Sequence, residues 1–343
     1  MPEAGIRVGV VGAGANTVQR HIPGLRAIPG VEIVGVANRS RESSERAAAQ
    51  LGIPKAYDRW TELVADPAID AVVIGTWPYM HCPVTVAALA AGKHVMCEAR
   101  MAMSAQEARA MRDAARARPH LVAQVVPSPF TLGVDRTVRR LIAEGYIGDP
   151  LAVTVRDGSS WLDREGPLHW RQDADLSGYN IMTLGIWYEA LMRWVGAARR
   201  VTAMGRTFVT MRRDASGSLR EVRVPEHLDV VGELVCGAQL HIQISRATGL
   251  AGPDEARLYG SEGTLRFSGG KLSGGRRGDA ELREIAVPPE EAGGWRVEEE
   301  FVGAIRGREP ITHTTFDDGV KYMEFTEAVA QSIASGCAVA VPI

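Results

Sequence analysis

Cysteine is scarce. Only Cys82, Cys97, Cys236 and Cys337 occur in 343 residues, and no two stand in a CxxC pair. Neither a zinc site nor a disulfide framework is signalled, and reduced thiols are expected. An excess of charge of either sign is also missing: 39 basic against 41 acidic residues leave a net charge of -2. Nucleic acid and anionic membrane are thereby disfavoured as partners, which leaves small molecules. No apolar run reaches membrane-spanning length, and Met1-Pro2-Glu3-Ala4-Gly5 lacks the basic and apolar regions of a signal peptide, so a cytoplasmic protein is expected. Metal ligation has no clear carrier either. Asp317-Asp318 and Glu298-Glu299-Glu300 lack accompanying histidines and read as helix N-terminal or solvated charges.

What is present is length enough for two cores. From Ile6 to Gln124 apolar strands alternate with helical patterns. Strands are expected at Ile6 to Gly12, Glu32 to Asn38, Ala71 to Thr76, His94 to Glu98 and Leu121 to Val125, and helices at His21 to Ala27, Arg41 to Leu51, Pro83 to Ala91 and Ala105 to Arg118. Such alternation predicts a doubly wound α/β Rossmann domain over residues 1–126. Beyond Pro127 a helix, Leu132 to Glu144, and a strand, Leu151 to Arg156, lead into a Trp-, Asp- and Gly-rich loop and a helix, Ile181 to Trp194. Short strands then dominate, at Arg200 to Thr207, His227 to Val235, Gln239 to Ser245, Ala256 to Tyr259 and Gly263 to Phe267, with a loose hairpin at Gly269 to Gly278 and a last helix, Gly319 to Ala334. Residues 127–343 are therefore expected to form an α+β domain with an open, mostly antiparallel sheet, serving substrate binding and oligomerisation.

The first strand runs into Gly12-Ala13-Gly14-Ala15-Asn16-Thr17, a GxGxxG with threonine at its last position. The first glycine permits the tight turn, and the second lets backbone amides approach a pyrophosphate at a helix N-terminus. At the end of the second strand, where NAD enzymes place an acid on the ribose, the chain reads Asn38-Arg39-Ser40-Arg41. Two guanidiniums and a serine suit a 2'-phosphate, so NADP(H) is favoured over NAD(H). The alternative is that Arg39 and Arg41 are solvated residues opening a helix.

Further segments accompany the loop: His21-Ile22-Pro23-Gly24-Leu25, Thr76-Trp77-Pro78-Tyr79-Met80-His81, Ala91-Gly92-Lys93-His94-Val95-Met96-Cys97-Glu98, Trp170-Arg171-Gln172-Asp173 and Gly260-Ser261-Glu262-Gly263-Thr264. In this order and spacing the chain resembles the glucose-fructose oxidoreductase, inositol dehydrogenase and MocA (Gfo/Idh/MocA) family over nearly its whole length. The resemblance implies NAD(P) across the first domain, lined by Thr76, Trp77, Pro78, His81 and Glu98. It also implies a sugar, cyclitol or related polyol on the second domain, and a homodimer or homotetramer through the open sheet. His81 has a structural alternative, as a cap for the helix at Pro83.

The departures from the family concern proton transfer. Where the family reads Glu-Lys-Pro the chain has Glu98-Ala99-Arg100, and the positions of the family's helical aspartate and histidine hold Thr183 and Trp187. Neither transfers a proton at neutral pH, and general acid-base help contributes of order 10² to 10⁴ in rate. Substitutes are sought nearby: Tyr188, Tyr179, Glu189 and His169, with Arg100 as a cation able to lower a tyrosine pKa. Packed or hydrogen-bonded structural roles are the alternative for each. Trp161, Trp170, Trp187 and Tyr179 suggest a less polar pocket that stacks on sugar faces or aromatic substrates, Trp170 reading also as core. Three functions follow: an NADP-dependent oxidoreductase with substitute acid-base residues, a catalytically degenerate dinucleotide-binding regulatory or sensing protein, and a lyase or epimerase that recycles its cofactor.

Overall fold

A computed structural model of the chain describes residues 5–343; Met1 to Ala4, on which the signal-peptide reading partly falls, lie outside them. Two compact units are present: residues up to Pro127 with Arg296–Val320, and Ser128–Trp295 with Lys321–Ile343. The first unit thus includes a late return of the chain that a single boundary near residue 126 does not contain.

In the first unit, strands β1 (Ile6–Val11), β2 (Val31–Ala37), β3 (Lys55–Ala56), β4 (Ala71–Ile74), β5 (His94–Cys97) and β6 (Ala123–Val125) form one parallel sheet, ordered β3-β2-β1-β4-β5-β6. All four residues of β4 are buried, as in a strand covered on both faces. The helices between them are α1 (Ile22–Ala27), entered through a π turn at Thr17–His21, then α2 (Arg41–Leu51), α3 (Trp60–Ala65), α4 (His81–Ala90) and α5 (Ala105–Arg116). Helix α2 starts where Ser40 and Ser43 cap each other's backbone amides and stops at Gly52, φ +61°. The sequence reading missed β3 and α3, which are too short to display a period.

In the second unit nine strands make a mixed sheet. They are β7 (Pro150–Asp157), β8 (Ala198–Arg206), β11 (His227–Leu234), β12 (Gln239–Ser245), β13 (Glu255–Gly260), β14 (Gly263–Ser268), β15 (Lys271–Arg276), β16 (Arg283–Glu284) and β17 (Val339–Ala340). A separate hairpin, β9 (Met211–Arg213) and β10 (Leu219–Glu221), was not foreseen. The order is β16-β15-β14-β13-β7-β12-β11-β8-β17, antiparallel except between β7 and β12. Alternate residues of β11 and β12 (Leu228, Val230, Leu240, Ile242) are buried, so one face of these strands makes core. Helices α6 (Asp135–Ala143), α7 (Ala174–Ser177) and α8 (Leu184–Val195) belong to this unit. The segment expected as a loose hairpin is instead the ordered strand β15, entered through Gly269 and Gly270, both at positive φ.

Helix α9 (Val297–Ile305) returns to the first unit, and α10 (Phe316–Ser335) follows. Glu298, Glu299 and Glu300 lie in the first turn of α9, as the helix N-terminal reading has it, but Glu298 and Glu300 are each 1% exposed, so the solvated alternative is corrected for both. Gln124, Thr312 and His313 surround the Glu300 carboxylate. No helix among the described residues is long and apolar enough to cross a membrane, and none of their His, Cys, Asp and Glu side chains group as a metal site.

Candidate functional site

The first unit carries a cradle for a dinucleotide. Gly12 ends β1 at φ +85°, and a Cβ there would stand 2.8 Å from the Thr76 backbone nitrogen. At Gly14 a Cβ would lie 2.9 Å from the Gly75 carbonyl. The threonine at the third motif position is accommodated from the other side: a Cβ on Gly75 would fall 1.9 Å from Thr17 Oγ1. The glycine that the motif omits after Asn16 is thus supplied by β4's exit, a compensation hidden from a local motif. Asn38 fastens the turn, accepting from the Ala13 amide (2.9 Å) while its own amide group donates to the Ser43 carbonyl (3.1 Å).

Glu98, at the end of β5, accepts from the Asn16 side-chain amide and from the Ala99 backbone amide, and meets His21 Nε2 at 2.8 Å. His21 Nδ1 lies 2.5 Å from Glu298 of α9. Burial alone would lower the pKa of this fully buried imidazole, but hydrogen bonds to Glu298 and Glu98 reverse the effect and hold it up at about 9. Burial likewise pushes the Glu98 carboxyl up, and His21 overcomes it, leaving the pKa lowered. A cation between two carboxylates therefore anchors Asn16 behind the glycine turn. Sequence reasoning missed His21 and Glu298, whose pairing spans most of the chain.

At the end of β2 the two arginines differ. Arg41 is bound to Glu45 (2.5 Å) and to Asp58, whereas exposed Arg39 makes no hydrogen bond or ion pair among the described residues. Ser40 is occupied by its helix cap. After β4, the Thr76 hydroxyl is buried without a partner, Trp77 is exposed, and Pro78 opens a short 3₁₀ turn. His81 is buried at the start of α4, with Nε2 3.0 Å from the Thr76 carbonyl and Nδ1 2.9 Å from that of Arg100. Burial pushes its pKa down, so it acts as a neutral tie between the two loop ends. Arg100 is itself buried. The positive-φ turn, the amides at Gly14 and the orphaned Thr76 hydroxyl fit a dinucleotide.

The second unit holds a cavity of about 800 Å³, lined among others by Phe130, Trp161, His169, Arg171, Thr183 and Arg246. His169 Nδ1 accepts from the Arg171 amide at 3.2 Å, which leaves the ring proton on Nε2. Burial and the neighbouring Arg171 charge lower its pKa. His169 is thus a neutral hydrogen-bond donor rather than a proton acceptor. Arg171 stacks over Trp170, 4.2 Å from the ring.

Tyr188, expected as proton donor, is corrected. It is 0% exposed, its ring stacks on Phe325 at 3.6 Å, and its hydroxyl accepts from the Ala198 amide at 2.7 Å. Burial raises its pKa, the opposite of what a proton donor needs. Glu189 is also internal, bound to the Ser128 amide and Arg193. Tyr179 is exposed and does not line the cavity.

The carboxylate that the sequence reading overlooked is Asp157, the last residue of β7. Buried at 3% exposure, its Oδ2 accepts from the Thr183 hydroxyl (2.6 Å) and the Trp187 indole (2.7 Å), and Arg246 stands 3.7 Å from Oδ1. Thr183, the N-cap of α8, and Trp187 within that helix thus converge on one acid. Its only sequence signal was an aspartate closing an apolar strand before Gly158.

Two family profiles match the chain: "GFO_IDH_MocA: Oxidoreductase family, NAD-binding Rossmann fold" over residues 6–125, and "GFO/IDH/MocA C-terminal domain" over residues 136–266. A 1,5-anhydro-D-fructose reductase of Ensifer adhaerens is 39% identical over 144 residues, 41% of this chain and 43% of that protein. A trans-1,2-dihydrobenzene-1,2-diol dehydrogenase of Sus scrofa is 30% identical over 213 residues, 60% of this chain and 61% of that protein. The match therefore spans about half of the length of these curated relatives. In fold the chain is similar to a levoglucosan dehydrogenase solved with NADH and L-sorbose, with a TM-score of 0.84 at 22% identity over 98% of this chain and 99% of the other.

Proposed function

We infer that this chain, which belongs to the Gfo/Idh/MocA family of oxidoreductases, is an NAD(P)-dependent enzyme that interconverts a ring alcohol and its ketone, with NADP(H) as the favoured cofactor. The observation that carries the reading is the cradle of Gly12, Gly14 and Gly75 with Arg39, just past β2, unpaired among the described residues. Bound there, the nicotinamide supplies hydride acceptance and donation. The chain's part is to seat the pyrophosphate on the amides at the glycine turn and to offer Arg39 to a 2'-phosphate. Trp77, Pro78 and Thr76 border the same cradle, and Arg100 keeps His81 against it.

The cavity and the relatives support a substrate class. Phe130 and Trp161 offer apolar faces, while Arg171, Arg246 and the His169 Nε2–H offer donors. That combination suits a cyclic polyol or its ketone, which stacks by its C–H face and accepts at its oxygens. The names of the relatives, an anhydrofructose reductase and a cyclic diol dehydrogenase, point the same way. A cytoplasmic homo-oligomer is proposed, assembled through the open sheet face where Met204 and Val231 are exposed. Screening purified protein with NADPH and NADH against cyclic polyols, their ketones and aromatic carbonyls tests the reading. Turnover of a ring substrate supports it, and unchanged cofactor with every substrate contradicts it.

A second reading, a degenerate protein that senses the dinucleotide, is favoured by Ala99 in the place of the family lysine. Tight cofactor binding without any turnover is its signature.

A further inference from the structure

We propose that Thr183 and Asp157 form a two-residue proton relay: the Thr183 hydroxyl exchanges the proton of the substrate hydroxyl, and Asp157 behind it receives that charge. The inference rests on the oxidoreductase reading above and assigns its missing proton acceptor.

The geometry supplies each part. Thr183 lines the cavity, and its hydroxyl donates to Asp157 Oδ2 at 2.6 Å. It stands at the N-cap of α8, where a threonine ordinarily accepts from an amide of the first turn, yet it makes no such bond. Its oxygen lone pairs are therefore left for a donor from the cavity. The preceding residue, Met182, is held at φ +43°, a conformation rare for a side chain of that bulk and retained where the surroundings fix it. Asp157 is buried, does not line the cavity, and is oriented by the Trp187 indole at 2.7 Å. Arg246, 3.7 Å away at the end of β12, faces it with charge, and Asp254 on the β13 side spends its carboxylate on the Gly158 amide. From α8 and its N-cap come the neutral donors Trp187 and Thr183.

In the oxidative direction a bound oxidised nicotinamide would supply the hydride acceptor, taking the electron pair of the substrate carbinol C–H bond as C=O forms. The hydroxyl proton passes to Thr183 Oγ1 as the threonine proton passes to Asp157 Oδ2, leaving a neutral carboxylic acid. That proton returns through Thr183 to cavity water, and the reduction runs the same path in reverse. Thr183 is the residue that touches substrate; Asp157 positions and discharges it.

The test compares wild type with Thr183→Val, Thr183→Ser, Asp157→Asn and Trp187→Phe in the full-length enzyme. Thr183→Val and Asp157→Asn are expected to lower kcat about 10²-fold or more with KM within about threefold, and to flatten the acid limb of the kcat/KM pH profile. Thr183→Ser restores the rate, and Trp187→Phe keeps the limb because it removes only an orienting bond. A readout independent of turnover is the Trp187 indole N–H resonance in ¹⁵N-tryptophan-labelled protein. It should keep its wild-type position in Thr183→Val and move in Asp157→Asn, where a neutral carboxamide replaces the carboxylate that accepts from the indole. If Thr183→Val retains wild-type kcat and pH profile, the relay is overturned while the oxidoreductase reading stands. If Trp187→Phe reproduces the loss seen in Asp157→Asn, Asp157 is merely a structural partner of the indole and the relay falls. Wild type that turns over no substrate overturns both.

Discussion

In the function proposed above, single side chains carry cofactor choice and proton handling. Arg39 has no hydrogen-bond or ion-pair partner among the described residues, and a charge-assisted hydrogen bond to phosphate contributes about 1.5–3 kcal/mol. Arg39→Ala is therefore expected to weaken NADPH binding about 10- to 100-fold, measured by titration, and to leave NADH binding nearly unchanged; equal weakening of both contradicts the assignment. Tyr188→Phe strands the Ala198 amide in the core, so it should cost about 1–3 kcal/mol in denaturant unfolding while kcat stays at the wild-type value. A collapse of kcat in that variant would return the tyrosine to the chemistry. His21 gives a pH signature. Its folded pKa, about 9, lies above the ordinary value of 6.5, so its contribution is complete below pH 6.5 and is lost as pH rises through 9. By linkage that is about 3 kcal/mol, to be seen as a melting temperature that falls over this window in wild type and not in His21→Gln. At this scale the sequence was partly readable. Gly12 and Gly14 declare themselves because a local motif names their jobs. Asp157, Glu298 and Gly75 do not, since their partners, Thr183, His21 and Thr17, lie in distant segments.

The elements explain why those side chains hold their places. Strand β4 leaves the sheet through Gly75, against which Thr17 of the π turn packs. Gly75→Ala would drive a Cβ into Thr17 Oγ1 and the Gly12 carbonyl, an overpacking expected to cost about 1–3 kcal/mol, with dinucleotide affinity falling alongside. Thr17→Ala should recover part of both losses in the double variant, as read by thermal melts and cofactor titration; no recovery would separate the two sites. Helix α8 illustrates the limit of pattern reading. Its apolar spacing predicts a helix, found at Leu184–Val195, but nothing local tells that Tyr188 faces Phe325 while Thr183 faces a cavity. The same holds for β15, whose glycines suggest a loose hairpin. In the sheet, Gly274 has Tyr146 and Ile285 close by, so the missing side chain is a packing requirement.

Over the whole chain, the alternation of strands and helices up to Val125 and the run of short strands after it made the fold class legible, because both follow from periodicity. The return of residues 296–320 to the first unit was not legible, because its evidence is the His21–Glu298 contact rather than a local pattern. An open sheet face bearing Met204 and Val231 leads us to expect a dimer or tetramer in sedimentation equilibrium, shifted toward monomer by Met204→Lys with Val231→Lys. A monomeric wild type contradicts that assembly. The central claim is that the chain exchanges hydride between NADP(H) and a ring alcohol or ketone. Its most direct measurement is nicotinamide absorbance followed over time with purified protein, NADPH and a panel of cyclic ketones. The account predicts oxidation of NADPH coupled one-to-one to alcohol formation on at least one ring ketone, whereas saturable NADPH binding with no oxidation on any of them would contradict it.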